Sequence, residues 1–451
     1  MIVMKFGGTS VGGTAPIRNA ISIIQEKLDQ QPIVVVSAMS KVTDLLYRIA
    51  SCAANCEEAK VTELVEELRN RHIEVAEELM VDSVANMLPA ISSVNELCDE
   101  LERFAKAVSA IGELSPRSQA IIVSHGELLS STIIGYAMKA QGIDTEWVDA
   151  RKMIVTDDNN LLKGEPITAT IQKTVANTIA PLLEAHKTVI TQGFIASTAN
   201  GCPSILGRGG SDYTASLIGM AMDASAIEIW TDVDGVLTAD PRKVANARRL
   251  DKISFEEAAE MAHFGAKVLH PMTIEPAVRK NIPIYVLNSL KPSCQGTVIL
   301  QDTQIADGVK SVSYKEHITV INIFSMKMIN TSGFLGKVFK VFSDNGISVD
   351  LISTSEANIS VTIDDTQETD QLVAHLSEFA EVVMDSGKAQ ISIVGKNLPA
   401  TPHLTEKVLG ALGGTSTYMI SQGATDINLS IVVDRKDMDT TIAAIHHALF
   451  Q

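Results

Sequence analysis

The chain has 451 residues, 45% of them hydrophobic and 20% charged, and a formal net charge of −17. That length exceeds one ordinary core and calls for two or three domains. The acidic balance argues against a nucleic-acid backbone as partner but not against ATP, which needs only a local positive field.

The five cysteines are odd in number and form no paired CxxC units, so neither a disulfide frame nor a zinc site is expected, and a reducing cytoplasm fits. No stretch approaches the ~18 apolar residues of a membrane helix. The N-terminus runs straight into a strand, which leaves no room for a signal or transit peptide.

Strands are expected at 2–6 (IVMKF), 32–38 (PIVVVSA), 188–194 (TVITQGF), 226–232 (AIEIWTD) and 282–288 (IPIYVLN), with helices between them, for example over 14–29 and 211–222. Val/Ile runs separated by helices predict a mostly parallel sheet covered on both faces. Residues 57–110 are rich in Glu, Leu, Ala and Val at helical spacing. They read as two or more helices of an insertion, broken near Pro89, with the charge runs EELRNRH and ELCDELER as solvated faces. Residues 301–317 are polar and mixed, and read as a connection into a smaller unit. That unit contains an internal repeat: DLISTSEANISVTID (350–364) aligns with YMISQGATDINLSIVVD (418–434), Ile352 matching Ile420. Each copy has an apolar strand before it (318–324; 389–394) and a helix after it (368–380; 436–449), which predicts a βαββαβ unit given twice in tandem.

The chemistry-bearing stretches begin with MKFGGTSVGG. Lys5 closes the first strand, and Gly7, Gly8, Thr9 and Ser10 follow it into a helix near Ala15. Glycines there let backbone N–H groups approach an anion, and the helix end adds its positive pole; a tight turn without ligand is the alternative. A second glycine cluster, LGRGGSDYTAS, offers Arg208 as a fork for a carboxylate or phosphate, with Gly209 and Gly210 beside it. Ser211 and Asp212 either cap the following helix or, in the case of Asp212, orient Lys5. Glu127 in SHGELLS is placed at a turn-to-helix junction, as a capping residue or as the partner of an ammonium group. WTDVDGVLTADPR lets Thr231 and Asp232 reach a ribose or base and Arg242 a phosphate. FGAKVLHP adds Lys267 as a second phosphate cation, with His270 as a structural turn residue. There is no Walker lysine loop, no metal-binding histidine pair and no GxSxG elbow, so magnesium is expected only with the nucleotide.

Taken together, KFGGTSVG, VVVSAMSKVTD, SHGELLS, TQGFI, LGRGGSDYTA, WTDVDGV, TADPR and FGAKVLHP resemble aspartokinase from residue 3 to the end. The resemblance implies an α/β amino-acid-kinase fold over 1–300, with 57–110 as the insertion of the lysine-sensitive bacterial type. Two α+β ACT domains follow, at 301–386 and 387–451. It implies phosphorylation of L-aspartate by ATP, the first step toward lysine, threonine and methionine, in a monofunctional cytoplasmic enzyme. By the same resemblance Lys5 bridges carboxylate and γ-phosphate, Asp212 orients it, and Gly7, Gly8, Thr9, Ser10, Gly209 and Gly210 line the phosphate path. Arg208 takes the substrate carboxylate, Glu127 its α-ammonium, and Ser37, Thr43 and Ser211 add hydrogen bonds. Thr231, Asp232, Arg242 and Lys267 fall on the nucleotide side, where Leu237 stands in place of a tyrosine that relatives often carry.

The two repeats are not equivalent. The first resembles an effector-binding ACT domain, with Met328, Asn330, Thr331, Gly333, Phe334, Leu335, Val349, Asp350, Ser355 and Glu356 around the effector. In the second, Tyr418 and Ala424 replace both carboxylates, so that copy is expected to serve packing and dimerisation. Two acidic residues favour lysine over threonine as effector, while Asn330 and Thr331 depart from the histidine and serine of lysine-sensitive relatives. Another kinase of this fold and a degenerate amino-acid sensor are the competing readings.

Overall fold

The computed structural model describes residues 1–264, 271–301, 306–329, 331–365 and 369–451. They fall into two compact units. One holds 1–236, 251–255 and the described part of 268–304; the other holds 237–250 and the described parts of 256–267 and 305–451.

The strands of the first unit are β1 (Ile2–Phe6), β2 (Pro32–Val36), β3 (Thr145–Val148), β4 (Val155–Thr156), β5 (Thr188–Gln192), β6 (Ile195–Thr198), β7 (Pro203–Ile205), β8 (Ala226–Thr231), β9 (Lys252–Ser254), β10 (Ile284–Asn288) and β11 (Thr297–Leu300). Among the described residues, eight of them make one sheet in the order β3-β5-β2-β1-β8-β10-β11-β9, parallel except where β11 runs against β10. Every residue of β1, β2 and β5 is buried, as continuous Val/Ile runs in a sheet covered on both faces require. The chain leaves β1 for β2 on one flank and later returns to β8 on the other. The carboxyl ends on either side of such a reversal form a crevice, the usual ligand position in open α/β sheets.

Helices α1 (Thr14–Gln25), α2 (Val42–Ala54), α3 (Glu58–Leu79), α4 (Val84–Ile111), α5 (Pro116–Ala140), α6 (Thr168–Glu184), α7 (Gly210–Ala221), α8 (Phe255–His263) and α9 (Pro271–Arg279) lie between these strands in the chain, and all of α8 but Phe255 belongs to the second unit. The insertion is the pair α3 and α4. Its break lies at 80–83, where Ser83 N–H bonds to Met80 O, and not at Pro89, which α4 takes into its second turn. Pro89 has no amide hydrogen, so α4 forgoes one hydrogen bond there and still continues through it. Nor is EELRNRH simply a solvated face, because His72 is fully buried. Glu127 stands in the middle of α5 rather than at a junction. By length and composition α5 could cross a membrane, which the hydropathy of the sequence did not suggest; 89% of its apolar window is buried in the core.

The second unit contains β12 (Gly308–Phe324), α10 (Phe334–Asp344), β13 (Ile352–Thr354), β14 (Asn358–Asp364), α11 (Asp370–Ser377), β15 (Glu381–Lys396), α12 (Leu404–Ala411), β16 (Thr417–Gln422), β17 (Asn428–Asp434) and α13 (Met438–Phe450). The strands form one antiparallel sheet in the order β13-β14-β12-β15-β17-β16. The expected connection is therefore strand from Gly308 onward. Its polar residues hid it, since Ser311 and Ser313 are buried beside Val312. Residues 318–324 pair with β14 and with the start of β15, whereas 308–315 pair with residues 390–396 of β15. The first βαββαβ unit is thus contiguous, but the second takes its last strand from upstream of the first. The tandem reading becomes an insertion. Segment 237–250 also belongs here and not with 1–236: Ala239 and Val244 are buried in the core formed by Ile391, Ile393, Leu429 and Ile442.

Candidate active site

Lys5 ends β1 nearly buried, with Nζ 2.6 Å from Asp212 Oδ1 in the first turn of α7. An ammonium has three N–H donors and this contact engages at most one, so the others remain for another group. A Cβ on Gly7 would stand 3.5 Å from that Nζ, and one on Gly8 only 3.1 Å from Ala38 O. Glycine thus keeps the loop close beneath the cation. The Gly7 amide is committed to Trp230 O at 3.0 Å, while those of Gly8, Thr9 and Ser10 have no acceptor among the described residues. The Ser10 hydroxyl turns inward, to Trp230 O at 3.2 Å and Ser289 Oγ at 2.7 Å. Thr9 is exposed.

Gly209, with φ +72, caps α7 without a side-chain cap, so the capping alternative for Ser211 and Asp212 is not realised. Gly210 donates to Gly207 O and must be small, because a Cβ there would meet Phe194 at 2.8 Å. Arg208 is exposed and has no partner among the described residues. Ser37 is half-buried at the end of β2, its carbonyl held by Ser130 Oγ at 2.8 Å, and Thr43 is half-buried in the first turn of α2.

Glu127 is 3% exposed. Its Oε1 accepts from Ala38 N at 3.2 Å, and Oε2 has no partner among the described residues. Burial pushes the carboxyl up to about 8. A buried carboxylate with an orphan oxygen is unstable as an anion unless a cation arrives. The Ala38 carbonyl borders Gly8 while its amide holds Glu127, so one residue joins the glycine loop to the acid.

Thr231 is half-buried at the end of β8 and donates to Asp232 Oδ1 at 3.2 Å, with Asp232 exposed. Arg242 belongs to the second unit, where both Nε and Nη2 bind Asp240, and Leu237 O there accepts from Ser311 Oγ at 3.3 Å. Lys267 and His270 lie outside the described residues. Among the described residues no group of three or more His, Cys, Asp or Glu could hold a metal ion. Magnesium arriving with a nucleotide would rely on phosphate oxygens and water.

Two contributors escaped the sequence reading. Arg71 of α3 donates to Ser40 O at 2.9 Å and to Gly12 O at 3.3 Å, pinning the glycine loop to the loop after β2. It stood inside a charge run with nothing to mark it. Gly193, within the motif TQGFI, has no room for a side chain, since a Cβ would lie 2.5 Å from Ser211 Cβ. A cavity of about 810 Å³ between α4, α5 and β3, lined in part by Leu97, Leu128 and Trp147, contains none of the predicted site residues.

In the first repeat, Gly333 (φ +84) caps α10 and Phe334 packs edge-on against Phe379 at 5.8 Å. Met328 and Val349 are half-buried; Thr331, Leu335, Ser355 and Glu356 are exposed, and Glu356 has no partner among the described residues. Asn330 lies outside the described residues. Asp350 is not free, for Lys315 Nζ lies 2.6 Å from its Oδ2 and His263 Nε2 3.6 Å from its Oδ1.

The model of the amino acid kinase family matches residues 1–288, and that of an ACT domain matches 321–374 and 391–449. The chain is 34% identical over 464 residues to lysine-sensitive aspartokinase 3 of Escherichia coli, covering 100% of this chain and 99% of that one. It is also 34% identical to chloroplastic aspartokinase 1 of Arabidopsis thaliana, covering 80% of that protein. Its structure superposes on E. coli aspartokinase III in complex with aspartate and ADP with a TM-score of 0.86 over the full length of both. With the same protein in complex with lysine and aspartate the TM-score is 0.81.

Proposed function

The chain belongs to the aspartokinases of the amino acid kinase family, and from that premise we propose that it transfers the γ-phosphoryl group of ATP to the β-carboxylate of L-aspartate under feedback control by an amino acid. It is an aspartate kinase with an ACT regulatory region. The observation that carries the site assignment is the nearly buried Lys5–Asp212 pair over Gly7, assembled from residues more than 200 positions apart.

The substrate carboxylate is ionised at neutral pH, so the reaction needs no general base. Its obstacle is bringing two anions together, and cations and aligned amides supply most of the catalysis. Lys5 sits between carboxylate and γ-phosphoryl group, and Asp212 fixes its direction. The amides of Gly8, Thr9 and Ser10 and the head of α7 receive phosphate oxygens. Arg208 binds the α-carboxylate of aspartate. The orphan Oε2 of Glu127 receives its α-ammonium, which gives the buried acid the counter-charge it lacks. Ser37, Thr43 and Ser211 complete the substrate contacts; Thr231 and Asp232 serve the nucleotide. Magnesium arriving with the phosphates would supply charge neutralisation there, held by phosphate oxygens and water rather than by this chain's side chains.

The first repeat is the effector site, with lysine favoured by the acidic pair Asp350 and Glu356 and by the sensitivity of the E. coli relative. The ACT region mediates a homodimer or a larger assembly, in the cytoplasm. ATP-dependent hydroxamate formation tests the activity: turnover with aspartate but not glutamate is expected. Turnover with glutamate alone would transfer the assignment to another kinase of this fold, and no turnover at all would favour the sensor.

A further inference from the structure

Asp350, the carboxylate assigned to an effector ammonium, is already flanked by two cations of its own chain, and the two contacts differ in kind. Lys315 Nζ lies 2.6 Å from Asp350 Oδ2 and 2.8 Å from Asp364, the last residue of β14. That arrangement recurs in the other half of the sheet. There Lys388 lies 2.8 Å from Asp434, the last residue of β17, and equally from Asp385, and its ammonium stands 3.8 Å from the ring centroid of Tyr418, the residue aligned with Asp350. The Tyr418 hydroxyl donates to Asp434 at 3.1 Å. A lysine held between a strand-end aspartate and the side chain at position 350 or 418 is therefore architecture, present in a half with no effector carboxylates.

His263 is a different matter. Its Nε2 approaches the other oxygen, Oδ1, at the looser distance of 3.6 Å, and its side chain is 51% exposed. It comes from α8, which ends there, and Tyr418 has no carboxylate that a second cation could join. Oδ1 is thus the exchangeable side of Asp350.

Resting on the reading of the first repeat as the effector site, we infer that His263 is a resident competitor: it holds Oδ1 of Asp350, and an effector ammonium takes that oxygen only by displacing the imidazolium. Among the described residues, the charged groups facing His263 are Asp350 from the segment before β13, Lys315 from β12 and Glu260 one turn earlier on α8. Asp350 raises the affinity of the ring for its proton, against partial burial and Lys315, and Glu260 adds to it. Burial pushes the Asp350 carboxyl up, but the bonds from His263 and Lys315 outweigh this and hold it below the usual range, so it stays ionised near neutrality. The titrating partner is therefore His263. Below its raised pKa an effector must expel a cation; above it the ring is neutral and the oxygen is open. Inhibition tightens as pH rises, by about fivefold to tenfold for one coupled proton.

The test measures inhibition of the full-length enzyme by lysine, and separately by threonine, between about pH 6 and about pH 8.5, for wild type, His263→Asn and Asp350→Asn, with uninhibited kcat as the control at each pH. The inference expects the wild-type inhibition constant to fall several-fold across this range. His263→Asn should be flat, at or below the high-pH wild-type value. A flat wild type, or an equal slope in His263→Asn, overturns it. If Asp350→Asn leaves inhibition by both amino acids intact, the effector-site reading itself fails. If Asp350→Asn abolishes inhibition while the slope ignores His263, only the competitor role fails.

Discussion

Aspartate binding should be coupled to loss of a proton from Glu127. Burial holds this carboxyl at about 8 against an ordinary value of 4.5, and its Oε2 has no partner among the described residues. At pH 7 roughly nine-tenths of the unliganded enzyme then carries neutral Glu127, and ionising it to meet an ammonium costs about 1.4 kcal/mol, or tenfold in affinity. The cost grows by the same amount for each pH unit lower and vanishes above about pH 8. The Kd for aspartate should therefore fall about tenfold per pH unit up to about pH 8 and then level off. Calorimetric titration in two buffers of different ionisation enthalpy should show nearly one proton released per aspartate near pH 7. Glu127→Gln should bind aspartate far more weakly, with no proton release and no slope. Linkage gives a second readout in the unliganded protein. A carboxyl raised in the folded state binds its proton there while the unfolded chain has lost it, so stability declines as pH rises from about 4.5 to about 8. The full decline is roughly 5 kcal/mol, and Glu127→Gln removes it. The reasoning is refuted if wild type releases no proton, or if Glu127→Gln keeps the slope.

Lys5→Met should lower kcat by a factor on the order of 10³, the scale of losing a preorganised cation at a charged transition state. It should also destabilise the fold by exposing Asp212 to burial without a counter-charge, and Asp212→Asn in the same background should recover the melting temperature but not the turnover. Gly193→Ala places a methyl group within 2.5 Å of Ser211 Cβ; thermal melts should show a loss of about 1–3 kcal/mol, with kcat falling because the head of α7 shifts Asp212. His72 is fully buried, and burial pushes its ring down to about 4 from 6.5. Stability should then be lost as pH falls from about 6.5 to about 4, by roughly 3 kcal/mol, and denaturant titrations of His72→Met should lack that decline.

What the sequence made legible was whatever depends on local composition. β1, β2, β5 and β8 are runs of apolar residues between polar loops, and each was placed to within about two residues at its ends. The glycine loops were visible because glycine marks unusual backbone demands. Less visible was anything decided by a distant partner. Glu127 looked like a cap because SHGE is polar, but the apolar stretches on both sides carry it into the middle of α5. Residues 308–317 looked like a linker because most of them are polar, and it is pairing with the long β15 beside them that makes them strand. Arg71 had no sequence signature, since its role arises from two carbonyls, at Gly12 and Ser40, that folding brings to it.

The asymmetry between the two repeats has a simple physical basis in this sheet. In both halves the lysine at the strand-end aspartate has a further counterpart at the aligned position. Asp350 supplies it through charge and Tyr418 through the face of its ring and a hydroxyl to Asp434. Each lysine still meets two carboxylates, Asp350 and Asp364 for Lys315, Asp434 and Asp385 for Lys388, so the tyrosine is tolerated at the aligned position. Only the carboxylate has a second oxygen left over, and that oxygen is where a further cation can be recognised. Exchange of aspartate and tyrosine at one aligned position therefore separates holding the sheet together from sensing a ligand, which lets a duplicated unit keep its fold while one copy alone presents a binding charge.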